Sequence, residues 1–114
     1  MTDIDNEQIY CFDIDGTLCT DMYGDVENAE PIISRIAVVN ELKMKGATIY
    51  LQTARGMLKA KNDGVIADKN MRELTERQLK NWGVEYDELF FGKPRAAHYI
   101  DDKGWGDSDF FRQF

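Results

Sequence analysis

Several features that would mark a protein class are scarce in this 114-residue sequence. Two cysteines are too few for the disulfide framework of a small secreted domain. The uncharged apolar runs fall far short of the roughly 20 residues that cross a membrane, and the start MTDIDNEQ lacks the basic and apolar segments of a signal peptide. With two prolines and nine glycines, collagen-like and low-complexity classes are excluded too. We therefore expect a cytoplasmic protein with no membrane partner.

Basic residues are also in the minority. Fourteen Lys and Arg stand against 21 Asp and Glu, which gives a net charge of −7. A field of that sign repels nucleic acid, so the charge argues against nucleic acid as a partner. Apolar residues make up 43 % of the chain, which is enough for a packed core. We expect one domain that spans residues 1–114.

Short apolar segments alternate with helical patterns along the chain. Four segments are typical of strands: residues 8–14, 47–53, 87–91 and, more briefly, 98–100. The spacing of apolar residues predicts one helix from Pro31 to a stop at Gly46, and another from a capping box at Asn70 to Gly83. This order predicts an α/β sandwich with a largely parallel sheet, in which Cys11 of the first strand is a buried thiol.

Residues with chemical functions follow the predicted strands. In chain order they are Asp13 and Asp15, Thr53, Lys93, and the pair Asp101 and Asp102. In an open parallel sheet, ligands bind beyond the carboxyl ends of the strands. We therefore expect four separate segments of the chain to meet at one edge of the sheet.

The residue types in this set suit a divalent cation and a phosphate. Carboxylates brought close together repel unless a cation joins them, and Mg²⁺ prefers their oxygens. Backbone N–H groups of the turn at Gly16 and Thr17 are suited to phosphoryl oxygens, and Arg55 could grip an anionic substrate. One carboxylate can then attack phosphorus, while another carries the proton.

Asp13-Ile14-Asp15-Gly16-Thr17 resembles the DxDGT signature of the haloacid dehalogenase superfamily. Thr53, Lys93 and the Asp101–Asp102 pair resemble its other three motifs, in the family's order. The strings TARG, GKP and YIDDK are similar to those of its short capless phosphatases of capsule polysaccharide biosynthesis. The resemblance implies a Rossmann-like three-layer sandwich with a mostly parallel sheet and no full cap domain.

The resemblance also implies a role for each matching residue. Asp13 would be the nucleophile and a Mg²⁺ ligand, and Asp15 the general acid and base, with its backbone carbonyl on the metal. Thr53 would hold a phosphoryl oxygen, and Lys93 would neutralise the phosphoryl group. Asp101 and Asp102 would complete the metal site, with Asp102 favoured as the direct ligand.

The expected function is hydrolysis of a phosphomonoester, with Mg²⁺ and an aspartyl-phosphate intermediate. A phosphorylated sugar or similar small metabolite is the expected substrate. Two alternatives stay open: a 3′-phosphatase acting on nucleic-acid ends, and a non-catalytic module that binds phosphate or metal. The apolar C-terminal tail either packs on its own domain or joins a second subunit in a homo-oligomer; its aromatic residues are Trp105, Phe110, Phe111 and Phe114.

Overall fold

Three parallel strands form the centre of the fold. The computed structural model describes residues 8–22 and 24–114. Its sheet has the order β1-β2-β3, with β1 at Ile9–Asp13, β2 at Thr48–Thr53 and β3 at Glu88–Phe91. The helices are α1 at Ile33–Met44, α2 at Gly64–Asn81 and α3 at Asp107–Phe111, and a short 3₁₀ helix lies at Val26–Asn28.

One face of the sheet carries the core. Phe12 of β1 is level with Leu51 of β2, which is level with Leu89 of β3, so the three side chains share a face. They belong to one buried cluster with Val39 of α1 and Leu79 of α2. The chain is therefore an α/β protein with a parallel sheet and a small Rossmann-like sandwich, as the sequence predicted.

The opposite face of the sheet is more open. Cys11 is exposed, Phe90 is 48 % exposed, and the ring of Phe90 meets that of Tyr50 edge-on at 5.3 Å between centroids. The prediction of a buried Cys11 thiol is wrong. Successive strand residues point to opposite faces, and Cys11 points away from the face that the helices cover.

Helix α1 begins two residues later than predicted. Pro31 forms an antiparallel bridge with Cys19 instead of the first helical turn. Next to it, the Ile32 N–H donates to the Leu18 carbonyl at 2.8 Å. The predicted stop at Gly46 is confirmed, since Gly46 has a φ of +105° directly after the helix.

Helix α2 begins at Gly64, six residues before the predicted capping box. The Asp63 carboxylate accepts hydrogen bonds from the N–H groups of Val65 and Ile66. A carboxylate at this position satisfies free N–H groups and complements the helix dipole. The prediction of a start at Asn70 is wrong, since that residue lies inside the helix. No helix within the described parts of the chain is both long enough and apolar enough to span a membrane.

The predicted strand at 98–100 is also wrong. Residues 92–106 have no regular secondary structure, and Ile100 is 93 % exposed. Tyr99 is tied to its own segment instead: its hydroxyl donates to the Pro94 carbonyl at 2.5 Å. The Lys93 Nζ lies 4.3 Å from the centre of the Tyr99 ring. These local contacts fold the segment back on itself, away from an extended ladder.

The C-terminal aromatic residues divide into two groups. The Phe110 ring lies 5.5 Å, and the Phe111 ring 5.9 Å, from that of Phe12 on the helix-covered face of the sheet. For these two residues, the predicted packing on the chain's own domain is confirmed. Trp105 and Phe114 remain 63 % and 60 % exposed.

Asp87, just before β3, forms hydrogen bonds to both β2 and α1. Its carboxylate accepts from the Ile49 N–H at 2.8 Å and from Lys43 Nζ at 2.9 Å. Its own N–H donates to the Ile49 carbonyl at 2.8 Å. The Ile49 hydrogen bond, followed by the bond to Lys43, lowers the pKa of the Asp87 carboxyl from its ordinary value.

We expect Asp87→Asn to lower the free energy of unfolding by about 1 kcal/mol at pH 7. Because the folded protein holds the pKa of Asp87 below its unfolded value, the carboxylate's stabilisation is present above the unfolded pKa and lost as pH falls through the folded pKa. The difference from wild type should therefore shrink below about pH 4. Urea titrations across this range measure it, with Asp109→Asn as the control; a difference independent of pH contradicts the prediction.

Candidate active site

Asp13 and Lys93 meet at the carboxyl edge of the sheet. Asp13 ends β1, and Lys93 follows β3 by two residues. The Lys93 Nζ lies 3.5 Å from the Asp13 Oδ1, with the two side chains 17 % and 30 % exposed. The Lys93 N–H also donates to the Thr53 carbonyl at 3.3 Å. The ends of all three strands thus come together, as a parallel sheet requires.

The Asp13 carboxyl is a partly desolvated acid. Burial is the largest influence and raises the pKa of Asp13, while the positive charge of Lys93 opposes the rise. A carboxylate in this setting is stabilised by any further cation that reaches it. Asp13 is therefore suited both to binding a metal ion and to reacting as a nucleophile.

A tight turn connects Asp13 to the second carboxylate, Asp15. The N–H groups of Thr17 and Leu18 both donate to the Ile14 carbonyl, and the Gly16 N–H donates to the Cys19 carbonyl at 2.9 Å. Gly16 has a φ of +82°, a conformation that favours glycine. The N–H groups that we expected to face a phosphate are thus engaged within the turn. Gly16 and Thr17 shape the site and direct Asp15.

Arg55 contacts Asp15 directly. Its Nε lies 2.9 Å from Asp15 Oδ2 and its Nη2 3.0 Å from Asp15 Oδ1, a bidentate ion pair. The residue is only 4 % exposed. The Arg55 N–H donates to the buried Thr53 hydroxyl at 2.9 Å. The structure therefore gives Arg55 an aspartate partner in place of the substrate contact that we expected.

The Cys19 thiol completes the surroundings of Asp15. Its Sγ donates to Asp15 Oδ1 at 3.4 Å. Burial, reinforced by the charge of Asp15, raises the pKa of Cys19 to about 12. The thiol therefore stays protonated at neutral pH and serves as a weak donor.

Asp101 and Asp102 lie in an exposed turn. The Asp101 carboxylate accepts from the Lys103 N–H at 2.9 Å, and that bond is the main cause that lowers the pKa of Asp101. Within residues 8–22 and 24–114, no three acidic, histidine or cysteine side chains are grouped as metal ligands. The structure thus brings Asp13, Asp15, Thr53 and Lys93 together and leaves this pair on the exposed segment.

Some of the oxygen atoms at the sheet edge are suitable ligands for a hard cation. Asp13 offers a half-buried carboxylate. The hydrogen bonds of the following turn use the carbonyls of Ile14 and Cys19, which leaves the Asp15 carbonyl outside them. Carboxylate and carbonyl oxygens are ligands that Mg²⁺ accepts. Two carboxylates, Asp13 and Asp15, are balanced here by two cations, Lys93 and Arg55, so a dianionic phosphate would need a further positive charge.

A groove opens among the loops of the chain. Its volume is about 750 Å³, within the range of small-molecule sites. It lies between the segments that follow β1, β2 and β3, and it is lined by Asp21, Gly24, Met57, Leu58, Lys61, Asn62, Arg95, Ala96 and Ala97. Asn62 holds two of these segments together, because its Oδ1 accepts from the Arg95 N–H at 3.1 Å.

The sequence analysis missed the two residues that accept hydrogen bonds from the inner side of the Arg55 guanidinium. Thr75 and Gln78 of α2 are buried and bind the Arg55 guanidinium. Both lie on an otherwise apolar helical stripe that includes Leu79. A polar side chain on a core-facing stripe needs a buried partner, and this was the available signal. The sequence alone does not name the partner.

Comparisons with known proteins extend the fold assignment. A crystal structure of a structural-genomics target from Vibrio cholerae superposes with a TM-score of 0.82 at 29 % sequence identity, covering 90 % of this chain and 86 % of that chain. No protein-family model matches the sequence, and no curated protein matches it. The similarity shows a shared fold over nearly the whole chain.

The position of Lys93 depends on a close contact between two glycines. A Cβ atom placed on Gly64, at the start of α2, would lie 2.8 Å from the Gly92 Cα. We expect Gly64→Ala to lower the free energy of unfolding by roughly 1–3 kcal/mol, because the backbones must separate. Chemical denaturation measures this. Gly104→Ala is the matched control, since its Cβ would lie at an ordinary 3.7 Å from Asp101 Cβ; equal stability of the two variants contradicts the prediction.

Proposed function

We propose that this protein is a Mg²⁺-dependent phosphomonoester hydrolase of the haloacid dehalogenase type. The observation that carries the proposal is the Asp13 carboxylate beside Lys93 Nζ, at 3.5 Å, with Asp15 two residues further on. A nucleophilic carboxylate, a fixed positive charge and a second carboxylate for proton transfer are the groups that such hydrolysis needs. The DxDGT resemblance supports the same reading.

In the proposed reaction, an Asp13 oxygen attacks phosphorus and the bond from phosphorus to the ester oxygen breaks. Asp15, which takes up a proton from solvent before this step, gives that proton to the departing oxygen, which leaves as an alcohol. Asp15 then takes a proton from water as that water attacks the aspartyl phosphate, which releases inorganic phosphate and restores the Asp13 carboxylate. Lys93 stabilises the phosphoryl charge throughout.

Mg²⁺ would be held by Asp13 and the Asp15 carbonyl, with the Asp101–Asp102 pair as further ligands. When bound, it supplies the positive charge that the balanced Asp13, Asp15, Lys93 and Arg55 set lacks. The pair is exposed and lies in the irregular 92–106 segment.

The first test is phosphate release from 4-nitrophenyl phosphate, with Mg²⁺ and with a chelator. We expect Mg²⁺-dependent turnover that Asp13→Asn abolishes, because an amide cannot attack phosphorus. The variant should remain folded by circular dichroism, and Asp109→Asn, at an exposed position of α3, is the matched control. Full activity of Asp13→Asn would exclude the covalent route, and no release by folded wild-type protein with Mg²⁺ would overturn the proposal.

A phosphorylated sugar or similar metabolite is the proposed substrate. The groove between the segments that follow the strands has the volume of a small-molecule site, and Lys61 and Arg95 give it positive charge. These two cations and Asn62 suit hydroxyl and anionic groups. The protein's charge of −7 opposes binding of a nucleic-acid strand.

A panel of sugar phosphates and 3′-phosphorylated oligonucleotides tests this substrate class. We expect turnover of sugar phosphates and a KM that rises roughly 2- to 5-fold in Arg95→Gln, since one exposed charge contributes up to about 1 kcal/mol. Lys80→Gln, at the far end of α2, should leave KM unchanged. Faster turnover of the oligonucleotides would move the assignment to nucleic-acid ends.

A further inference from the structure

Every N–H group of Arg55 has an acceptor within the protein. Nε and Nη2 bind the two Asp15 oxygens, and Nη2 also lies 4.0 Å from Cys19 Sγ. Nη1 donates to Thr75 Oγ1 at 3.1 Å and to Gln78 Oε1 at 2.5 Å. A guanidinium has five N–H donors and no acceptor. Arg55 therefore has no donor left for a substrate.

The guanidinium binds Asp15 along one edge and Thr75 and Gln78 along the other, so the position of each set of partners restricts that of the other. A bidentate pair holds the two groups in one plane, so the orientation of Arg55 sets that of the Asp15 carboxylate. On the other side, Thr75 and Gln78 lie three residues apart on α2, one above the other on the same helical face. Both are buried, and a packed helix fixes their positions. The hydrogen-bonding chain thus runs from α2 through Arg55 to Asp15.

Gln78 extends the chain to the segment that follows the Asp15 turn. Its Nε2 donates to the Val26 carbonyl at 2.6 Å, in the short 3₁₀ helix. The same amide therefore binds Arg55 through its oxygen and residues 26–28 through its nitrogen. No buried side-chain nitrogen or oxygen in the described residues lacks a hydrogen-bond partner. The network is complete, and removing one member leaves another unsatisfied.

We propose that Thr75 and Gln78 are positioning residues that act through Arg55 to orient the Asp15 carboxylate for proton transfer. This inference rests on the proposed hydrolase function. A proton carrier must stay within hydrogen-bond reach of the reacting oxygen, and small displacements of such groups slow the step strongly. Neither residue contacts Asp15, so their influence passes through the plane of the guanidinium.

The leaving group of the substrate separates this role from a merely structural one. Phenyl phosphate has a leaving group that needs a proton. The leaving group of 4-nitrophenyl phosphate, 4-nitrophenolate, departs readily without one. The ratio kcat/KM reports the first phosphoryl transfer, in which Asp15 would be the acid. A residue that positions Asp15 must therefore affect phenyl phosphate more than 4-nitrophenyl phosphate.

The variants are Thr75→Val and Gln78→Leu, which remove the acceptors and keep much of the volume. We expect kcat/KM for phenyl phosphate to fall roughly 10- to 100-fold, against a few-fold at most for 4-nitrophenyl phosphate. Thr75→Ser restores the hydroxyl and should restore the rate. Arg77→Gln, on the exposed side of the same helix, is the matched control and should equal wild type for both esters.

A second measurement uses the metal-free protein and no catalysis. A buried arginine in a bidentate pair gives a slowly exchanging Nε–Hε signal in ¹⁵N NMR spectra. We expect that signal for Arg55 in wild type, and a changed shift or faster exchange in Thr75→Val but not in Arg77→Gln. An unchanged Arg55 signal in Thr75→Val would overturn the inference even if the variant were poorly active.

The outcomes distinguish the two proposals. Equal losses with both esters, in variants derived from an active enzyme, would overturn the positioning role and leave the hydrolase function standing. If wild-type protein loaded with Mg²⁺ hydrolyses neither ester, the function fails and the positioning role fails with it. A selective loss with phenyl phosphate, rescue by Thr75→Ser and a changed Arg55 signal would establish the role.

Discussion

The site is organised around one buried cation, Arg55, whose N–H groups need hydrogen-bond acceptors. Arg55 is 4 % exposed, and its guanidinium has five N–H donors and no acceptor, so each of its N–H groups must be satisfied inside the protein. The acceptors come from the turn after β1 and from α2, while the Arg55 backbone follows β2 by two residues. Gln78 adds residues 26–28 to the same network. These four regions are therefore linked to one another through the side chains of Arg55 and Gln78.

This arrangement also accounts for the electrostatics of the sheet edge. Asp15 is neutralised by Arg55, and Asp13 by Lys93, so two carboxylates and two cations lie close together in a protein of net charge −7. The pairs differ in kind. Arg55 is buried and bidentate, whereas Lys93 is a flexible point charge with one contact at 3.5 Å and a second against the Tyr99 ring. The Lys93 pair is the one that a ligand can reach and rearrange.

The sheet is covered unevenly, and this affects the segment after Lys93. The helices and the C-terminal Phe110 and Phe111 all pack on one face, while Cys11 and Phe90 are exposed on the other. Within the described chain, β1 pairs only with β2, so its outer edge carries no strand. Residues 94–106, which include the Asp101–Asp102 pair, are likewise exposed. Completion of the proposed metal site depends on that segment.

The parallel α/β class, three of the strands and the placement of Asp13, Asp15, Thr53 and Lys93 at or just after strand ends were all predictable from the sequence. Apolar periodicity and strand-end position are local properties, readable without the fold. Helix boundaries depended on competing local bonds: Asp63 caps α2 well before Asn70, and Pro31 pairs with Cys19 instead of opening α1.

The partners of the polar groups, in contrast, depend on how the chain packs in three dimensions. The Gly16 and Thr17 N–H groups close a turn, Arg55 binds Asp15 instead of being free for a substrate, and residues 98–100 fold back on Lys93 and Pro94. The buried contacts of Arg55 join residues 20 to 40 positions apart in the chain. A hydrogen bond over such a distance is set by how the elements pack, because the local sequence at either end is compatible with many partners.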